Sequence, residues 1–112
     1  MELRNMTLGQ ALKFLNQKES VFIDLRSREE YALGHLKGAV NIPYEELEKE
    51  KKKLRKYQQI FLYCERGNVS LMAARDLKKE GFPVINIWGG VREMKKKYAG
   101  VADTIDGKAE KH

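Results

Sequence analysis

Compact apolar runs alternate along the chain with stretches whose apolar residues recur every three or four positions. The runs are Ser20-Val21-Phe22-Ile23-Asp24-Leu25, Gln59-Ile60-Phe61-Leu62-Tyr63 and Val84-Ile85-Asn86-Ile87-Trp88. Runs this short and continuous predict strands buried on both faces, as in a parallel sheet. Gly38-Ala39-Val40-Asn41-Ile42-Pro43 adds a brief strand stopped by proline.

The intervening stretches predict helices. Thr7 and Gln10 form a capping pair around Leu8, Ala11, Leu12 and Leu15, which predicts a first helix over 8–17. Ser27 and Glu30 repeat that pair before a short helix through Tyr31 and Leu33 that Gly34 can end. A helix over 44–56 carries Leu47 and Leu54 with few other apolar residues, and is expected at the periphery. Val69, Met72, Ala73 and Leu77 are the expected buried stripe of the next helix, closed by Gly81 and Pro83. Gly89-Gly90 turns into a last helix near 91–98.

Strands alternating with helices in this way predict an α/β fold, with a central, mostly parallel sheet of about five strands and helices on both faces. Ligands bind such sheets at the carboxyl ends of the strands. Asp24 and Arg26 at one strand end and Cys64 at another are therefore expected to bracket one pocket.

At 112 residues the chain fits one domain, over 1–100, with a polar, aperiodic tail over 101–112. No apolar stretch approaches the roughly 18 residues of a membrane span, and the N-terminus lacks a secretory layout, so the expected location is cytoplasmic. A single cysteine excludes an internal disulfide and suits a reducing compartment.

The net charge of +6 raises the question of nucleic acid. Its largest runs are Lys49 to Lys56, interleaved with Glu50 and following Glu45, Glu46 and Glu48, and Lys95-Lys96-Lys97. The first predicts a solvated helix with i,i+4 Glu–Lys pairs. Neither has interleaved aromatics or a nucleic-acid motif, so no nucleic-acid or membrane partner is expected.

The chemistry centres on Cys64. It leaves a strand through a glycine-containing loop into a helix N-terminus, where backbone N–H groups and the helix dipole favour a thiolate. Moving an ordinary thiol about two pKa units toward neutrality takes roughly 2.7 kcal/mol. A helix dipole alone supplies only about 0.3–1 kcal/mol. Several loop N–H groups must therefore converge on the sulfur, and Gly67 suits such a nest.

Arg66 either contacts an anion in the pocket or extends into water, and Glu65 faces solvent. Asn68 and Ser70 can cap the helix, and Ser70 can also hydrogen-bond the sulfur. His35 is expected to have a structural hydrogen-bonding role. One cysteine with two distant histidines, His35 and His112, makes no metal set, and no cofactor is expected.

Asp24-Leu25-Arg26-Ser27-Arg28-Glu29-Glu30-Tyr31, followed by Gly34-His35-Leu36-Lys37-Gly38-Ala39-Val40-Asn41-Ile42-Pro43, closely resembles the signature of rhodanese domains. Cys64 to Ser70 resembles their active-site loop, and Trp88-Gly89-Gly90-Val91 their late Gly-Gly turn. The resemblance covers about residues 3–98, with the motifs in order. It implies a small rhodanese-like α/β domain whose loop cysteine takes a sulfane sulfur from a small donor as a persulfide. A thiol or protein acceptor then receives that sulfur. By position, Cys64 is the nucleophile, Glu65, Arg66, Gly67, Asn68, Val69 and Ser70 form the substrate cradle, and Asp24, Arg26 and His35 support the pocket.

Two departures from the family pattern matter. Many thiosulfate-using members carry a basic residue after the cysteine and an arginine just before the loop's final serine, where this chain has Glu65 and Val69. Persulfides and polysulfides thereby become donors comparable to thiosulfate. The related phosphatases and arsenate reductases need a longer loop ending in arginine, and Ser70 stands at that arginine position. With one cysteine the persulfide has no internal resolving partner, so a separate acceptor is implied. The alternative is a non-catalytic rhodanese-like module that binds a protein.

Overall fold

The computed structural model describes residues 3–93 and 105–106. In chain order its elements are β1 (Arg4–Met6), α1 (Leu8–Ala11), β2 (Ser20–Asp24), α2 (Arg28–Leu33), β3 (His35–Leu36) and β4 (Val40–Asn41). There follow α3 (Leu47–Glu50), β5 (Gln59–Tyr63), α4 (Asn68–Lys79), β6 (Val84–Ile87), a helix α5 described over 90–93, and β7 (Ile105–Asp106).

Five strands form one parallel sheet in the order β1-β6-β5-β2-β4. The apolar runs occupy its centre, because a strand covered on both faces has no polar side to show. Alternation along β5 separates two cores. Ile60, Leu62 and then Cys64 face one side with Ala73, Ala74 and Leu77 of α4. Phe61 and Tyr63 face the other with Leu8, Ala11, Leu36 and Val91. Phe22 and Phe61, paired across β2 and β5, stack with centroids 4.4 Å apart. Burying each such side chain is worth roughly 1.5–3 kcal/mol. Cys64 therefore continues the strand's inward face and emerges beneath the first turn of α4.

Both capping boxes form, at Thr7/Gln10 and Ser27/Glu30. The first helix is shorter than its pattern predicts: after Ala11 it tightens into a 3-10 turn over Leu12–Phe14. Leu12, Phe14 and Leu15 all pack on the core, with Phe14 5.4 Å from Phe61, and one continuous α-helical stripe would not turn all three inward.

The segment over 44–56 is likewise broken, into a 3-10 turn at Tyr44–Glu46, α3, and a 3-10 stretch at Lys51–Lys56. Its ion pairs are spaced i,i+3 rather than i,i+4, Lys51–Glu48 at 2.6 Å and Lys53–Glu50 at 2.8 Å. Three residues per turn bring those positions into line. Nor is the segment peripheral, since Leu47 and Leu54 are both buried in the α4-side core.

Helix α4 buries Ser70, Ala73, Ala74 and Leu77, while Met72 is 49% exposed. At 3.6 residues per turn the i, i+3, i+4, i+7 set begins at Ser70 and leaves Met72 to one side. Gly81 closes the helix at φ +90, with Phe82 N–H on Leu77 O and Gly81 N–H on Lys78 O. That is the two-bond pattern of a glycine-terminated helix.

The pairing of β3 with β7 has no precedent in the apolar pattern, because two-residue strands are too short to show a period. Residues 94–98 of the last expected helix, with Lys95 to Lys97, and the 101–112 tail apart from Ile105–Asp106, His112 included, lie outside the described residues. No helix among those described is long and apolar enough to cross a membrane.

Candidate active site

The cysteine loop is shaped by a glycine that leaves a helix without a side-chain cap. Gly67 is the N-cap of α4, at φ +98, and contributes no capping side chain. The N–H of Ser70, which a Ser or Asp cap would ordinarily satisfy, points instead at Cys64 Sγ from 3.3 Å. Gly67 N–H reaches the same sulfur at 3.1 Å. The sulfur thus serves as the helix's capping acceptor, and the helix returns two N–H donors to the place where a thiolate would carry its charge.

Ser70 is fully buried beneath the sulfur, its Oγ 3.5 Å from Sγ. That hydroxyl also lies 3.2 Å from Gly67 O and 2.6 Å from Asn86 Oδ1, and Asn86 Nδ2 donates to Asn5 Oδ1 at 2.9 Å. Neither Asn68 nor Ser70 caps the helix from outside, as the sequence had allowed.

The loop is braced from behind by α5. Val91 N–H donates to Cys64 O at 2.8 Å and Arg92 N–H to Glu65 O at 3.1 Å. Gly90 permits this contact, since a β-carbon there would lie 2.1 Å from Cys64 O.

The strand ends meet as expected. Cys64 and Arg26 share a cleft of about 390 Å³, lined also by Leu25, Ser27, Glu30, Tyr44, Glu45, Glu65, Arg66, Asn68 and Val69. Arg26 is buried, its guanidinium bonded to both Asp24 oxygens at 3.0–3.3 Å and to Gly34 O at 2.6 Å. Burial opposes that charge, but the hydrogen bonds and attraction of Asp24 outweigh it and raise Arg26 above the ordinary guanidinium value. Glu65 Oε1 approaches Arg26 Nη1 at 3.7 Å. The cleft therefore presents the carboxylates of Glu30, Glu45 and Glu65 against Arg66 and an already neutralised Arg26.

The family profile for the rhodanese-like domain matches residues 7–97. The chain belongs to the rhodanese-like domain family. It is 43% identical over 72 residues to YrkF of Bacillus subtilis (strain 168), whose name marks it as a candidate sulfur carrier protein; the match covers 63% of this chain and 39% of that one. It is 34% identical over 73 residues to a tRNA sulfurtransferase of Desulfurococcus amylolyticus, covering 65% of this chain and 14% of the relative. The matched segment thus covers well under half the length of either protein. The crystal structure of a rhodanese-related protein from Thermoplasma volcanium superposes with a TM-score of 0.77 at 23% identity, over 85% of this chain and 93% of that one.

Not every expected residue of this rhodanese-like domain reaches the cleft. Asp24 is fully buried and acts on the cleft only through Arg26. His35 does not line it: the ring stacks on Tyr31 with centroids 3.6 Å apart, and Nδ1 lies 2.7 Å from Tyr31 O. Gly67 and Ser70 approach the sulfur from the protein side rather than lining the cleft wall. Asn86 and Asn5 behind the sulfur, Tyr44 and Glu45 in the cleft wall, and Gly90 as a brace are site features beyond those the sequence pattern predicts. Only Asn86 carried a signal, as the one polar residue inside Val84-Ile85-Asn86-Ile87.

Proposed function

We propose that this domain is a sulfurtransferase that carries sulfane sulfur as a persulfide on Cys64. The observation that carries the reading is the convergence of the Gly67 and Ser70 N–H groups on Sγ. The Cys64 thiolate attacks the outer sulfur of a donor R–S–S⁻ or R–S–SH; the donor S–S bond breaks and R–S leaves with its electron pair. An acceptor thiolate or other nucleophile then attacks the outer sulfur of the Cys64 persulfide, and Cys64 departs as thiolate. Fixed N–H dipoles favour Sγ whenever it carries charge, as attacking group and as leaving group.

The acidic cleft favours singly charged persulfides and neutral organic polysulfides over the dianion thiosulfate. The acceptor is a separate thiol or protein, and the names of the sulfur-carrier and tRNA-sulfurtransferase relatives support such a partner. A working free thiol also fits a reducing compartment such as the cytoplasm. Incubation with polysulfide or thiosulfate, followed by intact-mass analysis, tests the reading. One added sulfur on the wild type and none on Cys64→Ser is expected. No addition to the wild type, or equal addition to both, overturns it.

A further inference from the structure

We infer that Asn86 and Asn5 are positioning residues for the sulfur, setting the direction of the Ser70 hydroxyl and, through it, the balance between thiol and thiolate at Cys64. The inference rests on Cys64 being the working sulfur of the domain.

The sequence places a polar amide inside an apolar strand, at 3% exposure, and the parallel register sets Asn5 of β1 directly beside it. A buried amide must find partners. Asn86 finds Ser70 on the inner side and exposed Asn5 on the outer.

Ser70 has one hydroxyl proton and three neighbours. The 2.6 Å contact gives that proton to Asn86 Oδ1, so the Ser70 oxygen offers only lone pairs to Sγ. That arrangement accepts a thiol S–H. Once the sulfur is an anion, the same lone pairs oppose its charge.

The heavy atoms accommodate a second arrangement, because the O and N of an amide are nearly the same size. If both asparagine amides turn end for end, Asn5 Nδ2 donates to Asn86 Oδ1, and Asn86 Nδ2 donates to Ser70 Oγ. The hydroxyl is then released to donate to sulfur as a third hydrogen bond. Gly67 O keeps Leu71 N–H at 3.2 Å in either case. Neither arrangement strands a buried polar group, so the charge on sulfur decides between them. The outer end of this switch lies at the protein surface, two side chains removed from the cleft.

Substitution at exposed Asn5 tests it without touching the core. Asn5→Asp only accepts, so it holds Asn86 Nδ2 outward and withholds the Ser70 hydroxyl from sulfur. The readout is the pH midpoint of Cys64 alkylation by iodoacetamide, a neutral reagent, in wild type and Asn5→Asp, each with Ser70 and with Ser70→Ala. We expect Asn5→Asp to raise the midpoint by about half a unit, about a threefold slower reaction below it, with no rise in the Ser70→Ala background.

Asn5→Ala, which frees Asn86 to turn without adding charge, is expected to leave the midpoint at or below wild type, again only when Ser70 is present. An equal rise in both backgrounds is a through-space charge effect and overturns the inference, as does no rise at all. The alkylation needs no sulfur donor. Failure of Cys64 to load sulfur with the cycle intact would thus refute the transfer reading and leave the switch standing.

Discussion

Gly90 rests on the carbonyl oxygen of Cys64, so closely that a β-carbon at position 90 would sit 2.1 Å from it and 2.7 Å from the carbonyl oxygen of Glu65. Backbone rather than a yielding side chain fills that space. Gly90→Ala must push the cysteine loop away from α5, breaking the Val91–Cys64 and Arg92–Glu65 bonds and misaligning Sγ with its two donors. The expected result is a loss of about 2–4 kcal/mol in denaturant unfolding and at least about tenfold slower sulfur loading by mass. Gly38→Ala is the control. Its φ of +92 also strains a side chain, but the nearest atom is Leu15 Cδ1 at 3.8 Å. It should cost only about 1–2 kcal/mol and load normally.

The same pair shows why the sequence was partly legible. Strand β5 could be read to both its ends, Gln59 and Tyr63, because a fully buried strand needs an unbroken apolar run, and Cys64 because it is unique and stands where that run stops. Both capping boxes are local chemistry, contained in four residues. Gly90 was legible as a turn glycine but not as a brace, since its partner is 26 positions away in the chain. Met72 was misplaced for a related reason. Its hydrophobicity fits the stripe, but Ser70 takes the inward position because the sulfur and Asn86 need a hydroxyl there. The segment over 44–56 reads as one helix by composition, and only packing of Leu47 and Leu54 against the core reveals its tighter winding.

Arg26 depends on Asp24 for its charge to be tolerated. With side chains only 4% and 0% exposed, neither ion keeps much water, so removing one leaves the other buried and unpaired. Asp24→Ala is expected to cost about 3–5 kcal/mol in urea unfolding. Asp24→Leu combined with Arg26→Met should recover most of that loss, because an apolar pair needs no compensating ion. If the double variant is as unstable as the single, the pair stabilises by something other than mutual compensation.

Charge in the cleft should govern which donor works. Glu65 is 44% exposed at its side chain and pairs only loosely with Arg26, so Glu65→Lys should alter stability by no more than about 0.5–1 kcal/mol. Its effect on a dianion approaching Cys64 should be larger. Initial rates with thiosulfate, divided by those with a neutral organic trisulfide, are expected to rise about tenfold and to fall back as salt is raised. A ratio that does not move would mean that charge at position 65 does not select the donor.

Tyr63 links the sheet to alkaline stability. Its ring is fully buried, and its hydroxyl accepts the Leu36 N–H at 3.1 Å. Burial first, and the nearby Asp24 carboxylate second, push the phenol well above its ordinary value of 10.0. A phenol raised in the folded state ionises first in the unfolded chain. Its contribution is therefore complete below about pH 10 and is lost as pH climbs from there toward the folded value.

Among the five tyrosines, Tyr63 should gain its phenolate absorbance only together with loss of far-ultraviolet ellipticity. Tyr63→Phe should lower stability near pH 7 by about 1–3 kcal/mol, since the Leu36 N–H loses its acceptor. The same variant should show a shallower fall in stability between about pH 9.5 and 11, because the group that drives part of that fall is gone. Equal slopes in the two proteins over that range would show that Tyr63 ionisation does not contribute to alkaline unfolding.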